Sequence, residues 1–289
     1  MTTAWVTVVI PTKARPVLLA EAVESVRRQT FRKWECVIAV DGHDAETQRY
    51  LVSLCGDDLR FRFVSVQNGG SAARVRNAAI ERVTTPFLAL LDDDDMWLDQ
   101  KLAIQHAVFV EHPNTVLSCG RIEEWGERTA IWPATEGPHL LDADFLCAGN
   151  CIATSTVVAR TSSIREAGCF DPHRSLAEDY DLWLRLTAFG ELRMSSAILC
   201  RYRVHQGNSS KNESLMRDEV ERVLVQRFQD GTFSSQAFRR RLQRLCRERA
   251  KRAASPYEAV RWQLKGWIQR YCGGRRSERD PPSRSRHES

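Results

Sequence analysis

Four consecutive aspartates, Asp92–Asp95, directly follow the apolar run Phe87–Leu91. The run predicts a buried strand, and four neighbouring carboxylates cannot lie unpaired in a protein core because they repel one another. The strand must therefore end at an edge where a cation or an array of hydrogen-bond donors neutralises them. Carboxylate oxygens are the ligands that Mg2+ and Mn2+ prefer. A solvated acidic turn is the alternative interpretation, and the four aspartates alone leave both open.

Short apolar runs alternate with amphipathic stretches in the N-terminal part of the chain. Strands are predicted over residues 5–10, 36–40, 61–66 and 87–91, and helices over residues 17–29, 44–54 and 72–83. Ser71 is the expected N-cap of the third helix. Because strands and helices alternate at this spacing, we expect an α/β fold with a parallel sheet and right-handed crossovers.

Polar residues follow three of these predicted strands: Pro11-Thr12-Lys13, Asp41-Gly42 and Asp92–Asp95. Ligands bind at the carboxyl ends of the strands in such sheets, so we expect these residues to line one pocket. Neither G-x-G-x-x-G nor G-x-x-x-x-G-K-[ST] occurs in the sequence. A metal ion on the carboxylates, rather than a glycine-rich loop, is therefore the expected holder of any phosphate groups.

Cysteine usage and hydropathy indicate a cytoplasmic location. The nine cysteines form no C-x-x-C pair, the sequence has no apolar run of membrane-spanning length, and the N-terminus lacks a signal-peptide pattern. We therefore expect reduced thiols in a cytoplasmic protein. Cys147 and Cys151 have a spacing that could hold zinc, but no second pair accompanies them, so zinc is not expected.

Four ordered motifs over residues 5–211 resemble those of family 2 glycosyltransferases. They are Val8-Val9-Ile10-Pro11-Thr12 with Gln29-Thr30-Phe31 and Glu35–Asp41; Arg76-Asn77 and Ile80 with Leu91–Trp97 and Lys101-Leu102; Gly168–Asp171 with Glu178–Arg185; and Tyr202–His205 with Ser209-Ser210. The resemblance implies a GT-A fold, with a Rossmann-like, mostly parallel central sheet flanked by helices. It also implies an inverting transfer of a sugar from a nucleotide-diphosphate sugar, most simply a UDP-sugar, to an acceptor hydroxyl.

The resemblance also implies a role for each matching residue. Pro11, Thr12, Asp41 and Arg76 would hold the base and ribose of the nucleotide sugar, with Asp93 near the ribose. Asp92 and Asp94 would form the DxD pair that binds Mn2+ or Mg2+, Asp94 more directly, and His205 would close over the diphosphate or complete the metal shell. Asp179 would be the general base, and Glu178 would help to position the acceptor.

Two departures from the family pattern affect these roles. The family usually has Asp-Asp-Gly-Ser after the second strand, whereas this chain has Val40-Asp41-Gly42-His43, so the resemblance leaves uracil specificity open. The third helix has Val75-Arg76-Asn77 in place of Ala-Arg-Asn. It also contains Arg74, a second candidate for the same role.

The residues themselves are consistent with this chemistry. Transfer from a nucleotide sugar expels a diphosphate, which a divalent ion on Asp92 and Asp94 would stabilise as a Lewis acid. A single carboxylate, Asp179, would remove the proton of the attacking hydroxyl, and attack opposite the leaving group gives inversion. The alternative of a different class is a non-catalytic nucleotide-sugar or carbohydrate-binding module, which has no use for a base. The sequence has no Gln-x-x-Arg-Trp motif, so a processive synthase is not expected.

We divide the chain into a GT-A domain over residues 1–212, a helical extension over 213–272 and a basic, disordered tail over 273–289. Residues 237–289 contain 16 Lys and Arg against 5 Asp and Glu, a net charge of +11, although the whole chain carries only +5. Helices are predicted at 215–228, 235–254 and 257–271, and the last includes Trp262 and Trp267. Basic amphipathic helices suit the anionic inner face of a membrane, where lipid-linked glycan acceptors reside. Packing on the catalytic domain or on a second subunit is equally consistent, and no nucleic-acid-binding frame is present.

Removing residues 237–289 should lower binding to anionic vesicles, because the remaining chain carries a net charge of −6. Co-sedimentation with phosphatidylserine vesicles measures the effect. The contribution of residues 237–289 should fall with added salt, which screens surface charges beyond about 8–10 Å near physiological ionic strength. Equal sedimentation of the folded truncated protein and the full chain would assign these residues another role.

Overall fold

The structure, a computed structural model, describes residues 4–67, 69–127, 129–134, 139–205 and 213–251 of the 289-residue chain. Among the described residues, those up to Phe233 belong to one compact unit, and those from Ser234 to Lys251 belong to a second. In the described residues, no helix is long and apolar enough to cross a membrane. The helix predicted at 257–271 and the tail at 273–289 lie outside the described residues.

The strands of the described chain form one sheet. They are β1 (Val6–Thr12), β2 (Trp34–Asp41), β3 (Phe61–Val66), β4 (Phe87–Leu90), β5 (Met96–Trp97), β6 (Thr115–Gly126), β7 (Ala130–Trp132), β8 (His139–Leu141), β9 (Val158–Arg160) and β10 (Glu191–Val204). Their order is β3-β2-β1-β4-β9-β6-β10-β5, with β7 beside β6 and β8 beside β10. Strands β3, β2, β1 and β4 are parallel, whereas β9 runs antiparallel to both β4 and β6.

Helices flank this sheet in the first unit, and one helix is described in the second. They are α1 (Pro16–Arg27), α2 (Ala45–Asp57), α3 (Ala72–Ile80), α4 (Lys101–Glu111), α5 (Ala143–Ala148), α6 (Thr161–Glu166), α7 (Glu178–Leu186), α8 (Glu213–Gln229) and, in the second unit, α9 (Ser235–Lys251). A 3-10 turn at Thr154–Thr156 precedes β9. The central strands are buried along almost their whole length, as expected for a sheet covered on both faces.

The structure confirms the predicted alternation of strands and helices in the N-terminal part. The N-cap is also confirmed: the backbone N–H of Arg74 donates to Ser71 Oγ at 3.4 Å. The predicted end of the first strand at residue 10, before Pro11, is wrong, because β1 continues to Thr12 beside β2. Proline is tolerated there because β4 pairs with β1 only as far as Val9 and Leu90, so no partner on that side needs the missing N–H.

Helix α8 packs on α7 through a buried carboxylate. Asp181 is 2 % exposed and lies within 3.4 Å of three arginines: Arg174 at 3.3 Å, Arg185 at 2.9 Å and Arg227 at 3.4 Å. Arg227 belongs to α8, so this ion-pair cluster joins the two helices within the first unit. The division of the chain into domains that we derive from the sequence stays a prediction.

Replacing Asp181 by alanine should lower the free energy of unfolding by about 3–5 kcal/mol, because it leaves buried guanidinium groups without their shared carboxylate. Urea denaturation followed by circular dichroism measures the change. Asp99→Ala is the matched control, since Asp99 pairs with Arg28 at 3.4 Å on the surface and such pairs contribute only about 0–1 kcal/mol. Equal stability losses in the two variants would contradict the role of the cluster.

Candidate active site

An open cleft of about 330 Å³ lies at the carboxyl edge of the parallel strands. It forms where β1 and β4 diverge: the last bond between them is that of Leu91 N–H to Val9 O, at 3.1 Å. The cleft brings together the polar residues at the carboxyl ends of β1, β2 and β4, as the sequence predicts. Its lining comprises Pro11, Thr12, Lys13, Arg15, Asp41, Gly70, Ser71, Ala72, Val75, Arg76, Asp92, Asp93, Asp94 and Tyr202.

Arg76 bridges two carboxylates from distant parts of the chain. Its Nη2 donates to Asp92 Oδ1 at 2.7 Å, and its Nη1 donates to Glu178 Oε1 at 2.8 Å. Burial lowers the pKa of Arg76, but Asp92 and Glu178 outweigh that effect and raise its pKa above the ordinary value. The guanidinium group therefore stays charged and joins the end of β4 to the start of α7. Arg74, the second candidate, is exposed and does not line the cleft.

Asp93 and Asp94 share the cation of Arg15. Its Nη1 lies 3.4 Å from Asp93 Oδ1 and 3.1 Å from Asp94 Oδ2. Thr12 Oγ1 donates to Asp93 Oδ2 at 2.6 Å. Burial is the main cause that raises the pKa of Asp93 to about 6; the Thr12 hydrogen bond opposes it, and neighbouring Asp94 adds to it.

Asp95 is buried, and its carboxylate accepts hydrogen bonds from other elements of the fold. Ser155 Oγ donates to its Oδ2 at 2.5 Å, and the backbone N–H of Arg203 donates to its Oδ1 at 3.0 Å. Burial, followed by repulsion from Asp92 and Asp94, raises its pKa well above the ordinary value. Asp95 thus ties the aspartate segment to the end of β10, from which His205 follows directly.

Asp41, the last residue of β2, also lines the cleft. It accepts from Lys13 Nζ at 2.9 Å and from the backbone N–H of Gly69 at 2.7 Å. The Lys13 hydrogen bond is the main cause that lowers its pKa, although burial opposes it. A Cβ atom at position 69 would lie 2.9 Å from Asp41 Oδ1 and 2.7 Å from Val75, so this close approach requires glycine.

Asp179 lies at the start of α7, partly accessible to solvent. Its Oδ2 accepts from Thr154 Oγ1 at 3.1 Å, and its Oδ1 accepts from the backbone N–H of Tyr180 at 2.6 Å. Burial is the main cause that raises the pKa of Asp179 to about 6, and the negative charge of Glu178 adds to it. Ala177, just before the helix, has φ of 58°, a left-handed conformation that a non-glycine residue adopts at a cost of about 1–2 kcal/mol. Backbone strain thus lies directly beside the two carboxylates.

The predicted metal ligands are only partly brought together. His205 Nε2 lies 3.0 Å from Asp94 Oδ2, whereas Asp92 pairs with Arg76. Among the residues that the structure describes, no three His, Cys, Asp or Glu side chains converge as a ready-made metal cluster. A carboxylate and an imidazole beside an open cleft nevertheless suit a divalent cation that takes its other ligands from phosphate oxygens and water.

Several residues of the site are absent from the sequence prediction. Arg15 neutralises two aspartates, while Thr154 and Ser155 contact Asp179 and the Asp92–Asp95 segment. Arg15 could have been found, because it follows the same strand as Thr12 and the acidic segment needs cations. The two hydroxyl residues carry no sequence signal, since their contacts are with residues 25 and more positions away.

Comparisons with known proteins agree with one another. The family model described as Glycosyl transferase family 2 matches residues 7–166. The amylovoran biosynthesis glycosyltransferase AmsE of Erwinia amylovora is 28 % identical over 183 residues, which cover 62 % of this chain and 67 % of that protein. The Escherichia coli UDP-Glc:alpha-D-GlcNAc-diphosphoundecaprenol beta-1,3-glucosyltransferase WfgD is 24 % identical over 213 residues, 72 % of this chain and 80 % of that protein. An uncharacterised Sinorhizobium fredii protein, y4gI, is 32 % identical over 62 % of this chain, but the match spans only 20 % of its own length.

Solved structures show the same fold at lower sequence identity. Staphylococcus aureus TarS 1-349 in complex with UDP-GlcNAc superposes with a TM-score of 0.63 at 15 % identity, covering 92 % of this chain and 72 % of that one. A mannosyltransferase from Pyrobaculum calidifontis in complex with GDP-Man and Mn2+ gives a TM-score of 0.61 at 14 % identity, covering 95 % of this chain and 77 % of that one.

Proposed function

The chain belongs to glycosyl transferase family 2 and has a GT-A fold, and on this premise we propose that it transfers a sugar, with inversion, from a nucleotide-diphosphate sugar to an acceptor hydroxyl. The observation that carries the proposal is the placement of two carboxylate groups on either side of Arg76, which lines the cleft. Asp92–Asp95 lie at the end of β4, Glu178–Asp179 lie at the start of α7, and Arg76 contacts both. A cation-binding side and a base side are what such a reaction needs.

The donor would occupy the cleft between Asp41 and Asp94. The Asp41 carboxylate accepts hydrogen bonds from Lys13 and Gly69, and it can accept a further one from a nucleobase N–H. Thr12 and Asp93 lie where a ribose hydroxyl would be hydrogen-bonded, with Pro11 beside them. Lys13 and Arg15 supply positive charge for the diphosphate, since both line the cleft and Arg15 already contacts two carboxylates. UDP is the nucleotide we favour, because UDP-sugar enzymes are among the relatives and structural neighbours.

A divalent cation, Mn2+ or Mg2+, would be held directly by Asp94 and His205. Asp92, the other carboxylate of the DxD pair, would contribute less directly. When bound, the cation supplies Lewis-acid stabilisation of the departing diphosphate. Arg15 lies within 3.1 Å of Asp94, so its guanidinium group neutralises this carboxylate in the structure as described. Asp94 would exchange part of that pairing for the cation.

Asp179 would act as the general base, with Glu178 positioning the acceptor. A pKa of about 6 leaves most of the Asp179 side chain ionised at neutral pH while keeping it basic enough to accept a hydroxyl proton. By analogy with relatives named for amylovoran and diphosphoundecaprenol-linked glycans, we propose a glycan or lipid-linked acceptor in polysaccharide or glycoconjugate assembly. We further propose a cytoplasmic protein that associates with the inner face of the membrane.

A non-catalytic nucleotide-sugar-binding module is the second candidate. It would keep the cleft and the cation site but would have no use for Asp179. The raised pKa of Asp179 and its position across Arg76 from Asp92 favour the enzyme over the module.

Asp94→Ala should abolish Mn2+-dependent binding of UDP while leaving the fold intact, because it removes the carboxylate nearest His205 and relieves repulsion among the aspartates. Isothermal titration calorimetry with UDP and Mn2+ measures the loss. Asp99→Ala, outside the cleft, is the control. Undiminished metal-dependent binding in Asp94→Ala would remove this residue from the proposed metal site.

Asp179→Asn should keep donor affinity near normal but lower turnover by about 10²–10⁴-fold, the usual contribution of a general base. The amide is nearly isosteric with the carboxylate, so only proton acceptance is lost, and the defect should appear in kcat. Release of UDP or GDP from nucleotide sugars, tested over a panel of UDP- and GDP-sugars, provides the assay. Asp99→Asn is the control, whereas Asp181 is unsuitable because it is a buried ion-pair centre. Full activity in Asp179→Asn would point to Glu178 instead.

A further inference from the structure

We propose that the 3-10 turn Thr154–Thr156 is a positioning element that sets the base side of the site relative to the cation side, through the hydroxyl groups of Thr154 and Ser155. The inference rests on the proposed function, and it assigns roles to two residues outside every motif of the sequence. Its basis is geometric: adjacent residues of one short turn hold the two carboxylate groups that the reaction needs.

Thr154 acts on the base side. Its hydroxyl donates to Asp179 Oδ2 at 3.1 Å, while the other oxygen accepts from the N–H of Tyr180 at 2.6 Å. Together these two donors fix the plane of the carboxylate. A hydroxyl donor also stabilises the ionised form, and the Thr154 hydrogen bond accordingly lowers the pKa of Asp179 against the larger opposite effect of burial.

Ser155 acts on the cation side. Its Oγ accepts from the backbone N–H of Asp92 at 3.1 Å and donates to Asp95 Oδ2 at 2.5 Å. One hydroxyl group therefore holds both ends of the four-aspartate segment. Because Asp94 lies between these two points, its position depends on the same contact.

The turn itself is anchored in the core. Ser155 and Thr156 are buried, and Ser155 O accepts from Trp97 Nε1 at 2.6 Å. Thr156 O accepts from Gln105 Nε2 at 2.9 Å, and the backbone N–H of Leu90 in β4 donates to Val157 O at 3.0 Å. A turn held at these points can fix the distance between the Asp92–Asp95 segment and Asp179, which an exposed loop could not do.

Arg76 completes the connection from the opposite side. It joins Asp92 to Glu178, the neighbour of Asp179. Hydrogen bonds and covalent links therefore form a closed ring. It runs from Asp92 through Arg76 and Glu178 to Asp179, and it returns to Asp92 through Thr154 and Ser155. The charged groups that act on Asp179 are Glu178 and Arg76. Neither changes when the Thr154 hydroxyl is removed, so its effect can be measured separately.

The decisive variant is Thr154→Val, which removes the hydroxyl and keeps the shape, with Thr154→Ser as its rescue. At pH 6 we expect turnover of Thr154→Val to fall roughly tenfold, since a hydrogen bond to a charged group is lost. The loss should be smaller at pH 8, because the pKa of Asp179 rises and the acidic limb of the kcat profile moves to higher pH. Affinity for UDP and Mn2+ should not change. Thr187→Val is the matched control, because the Thr187 hydroxyl donates to Leu184 O in α7.

Ser155→Ala tests the other side of the turn. It should weaken Mn2+-dependent UDP binding in calorimetry, while the acidic limb of the kcat profile stays where it is in the wild-type protein. Urea denaturation of each variant separates these effects from loss of fold. Identical defects in Thr154→Val and Ser155→Ala would reduce the turn to a packing element and overturn the proposal.

Carbon-13 NMR of the aspartate carboxyl groups provides a readout that needs no substrate. The Asp179 resonance, assigned with Asp179→Asn, should titrate at higher pH in Thr154→Val than in the wild-type protein and Thr154→Ser. An unchanged titration in Thr154→Val would overturn the inference even if the protein is an active transferase. Failure of the wild-type protein to release UDP or GDP from any nucleotide sugar of the panel would instead overturn the proposed function, and the NMR result would stand independently.

Discussion

Repulsion among four adjacent carboxylates is the constraint on which this site depends. The segment Asp92–Asp95 is stable at the end of a buried strand only because each carboxylate has a partner from elsewhere in the chain. Arg15 follows β1, Arg76 lies in α3, Ser155 lies in the turn before β9, and the N–H of Arg203 belongs to β10. Since these partners come from both halves of the sheet, the segment reaches its native arrangement only when the halves have packed together.

Arg76 has a consequence that reaches beyond charge balance. A buried guanidinium group with one carboxylate on each side transmits the charge state of one to the other. Binding of the proposed cation and diphosphate near Asp92 would change the field around Arg76, and hence the field at Glu178 and Asp179. The proposed base, Asp179, would therefore be electrostatically linked to the proposed donor side, although the two are supplied by different elements of the fold.

The sequence predicts the parallel half of the fold well, because its information there is local. Apolar runs with period-two or helical spacing define β1 to β4 and α1 to α3, and the alternation implies the topology. The antiparallel insertion of β9 between β4 and β6 could not be predicted in the same way. Three residues, Val158–Arg160, carry no distinctive pattern, and their place depends on pairing with strands far away in the chain.

The same distinction between local and long-range information separates the site residues that the sequence predicts from those that it does not. Residues at strand ends, such as Asp41 and Asp92, could be placed in one cleft from topology alone, and family resemblance added Asp179 and His205. The hydrogen-bond partners of these residues could not be predicted, because a hydrogen bond between side chains depends on angles and distances. The spacing of residues along the sequence does not encode these. Arg76 illustrates this: the sequence identifies it as a site residue, but only the structure shows that its guanidinium group forms ion pairs with two carboxylates.

Support for the site extends into the core through a lysine. Lys101 is fully buried, and burial lowers its pKa to about 7. Its Nζ lies 4.0 Å from the centroid of the Trp97 ring and donates to Gln105 Oε1 at 2.6 Å. Trp97 and Gln105 are the side chains that hold the carbonyl groups of Ser155 and Thr156. Burying an amine is costly, and these two contacts of Lys101 are both with side chains that support the turn. The core and the site are thus one continuous polar network, in which a buried amine of the core helps to fix where the carboxylates lie.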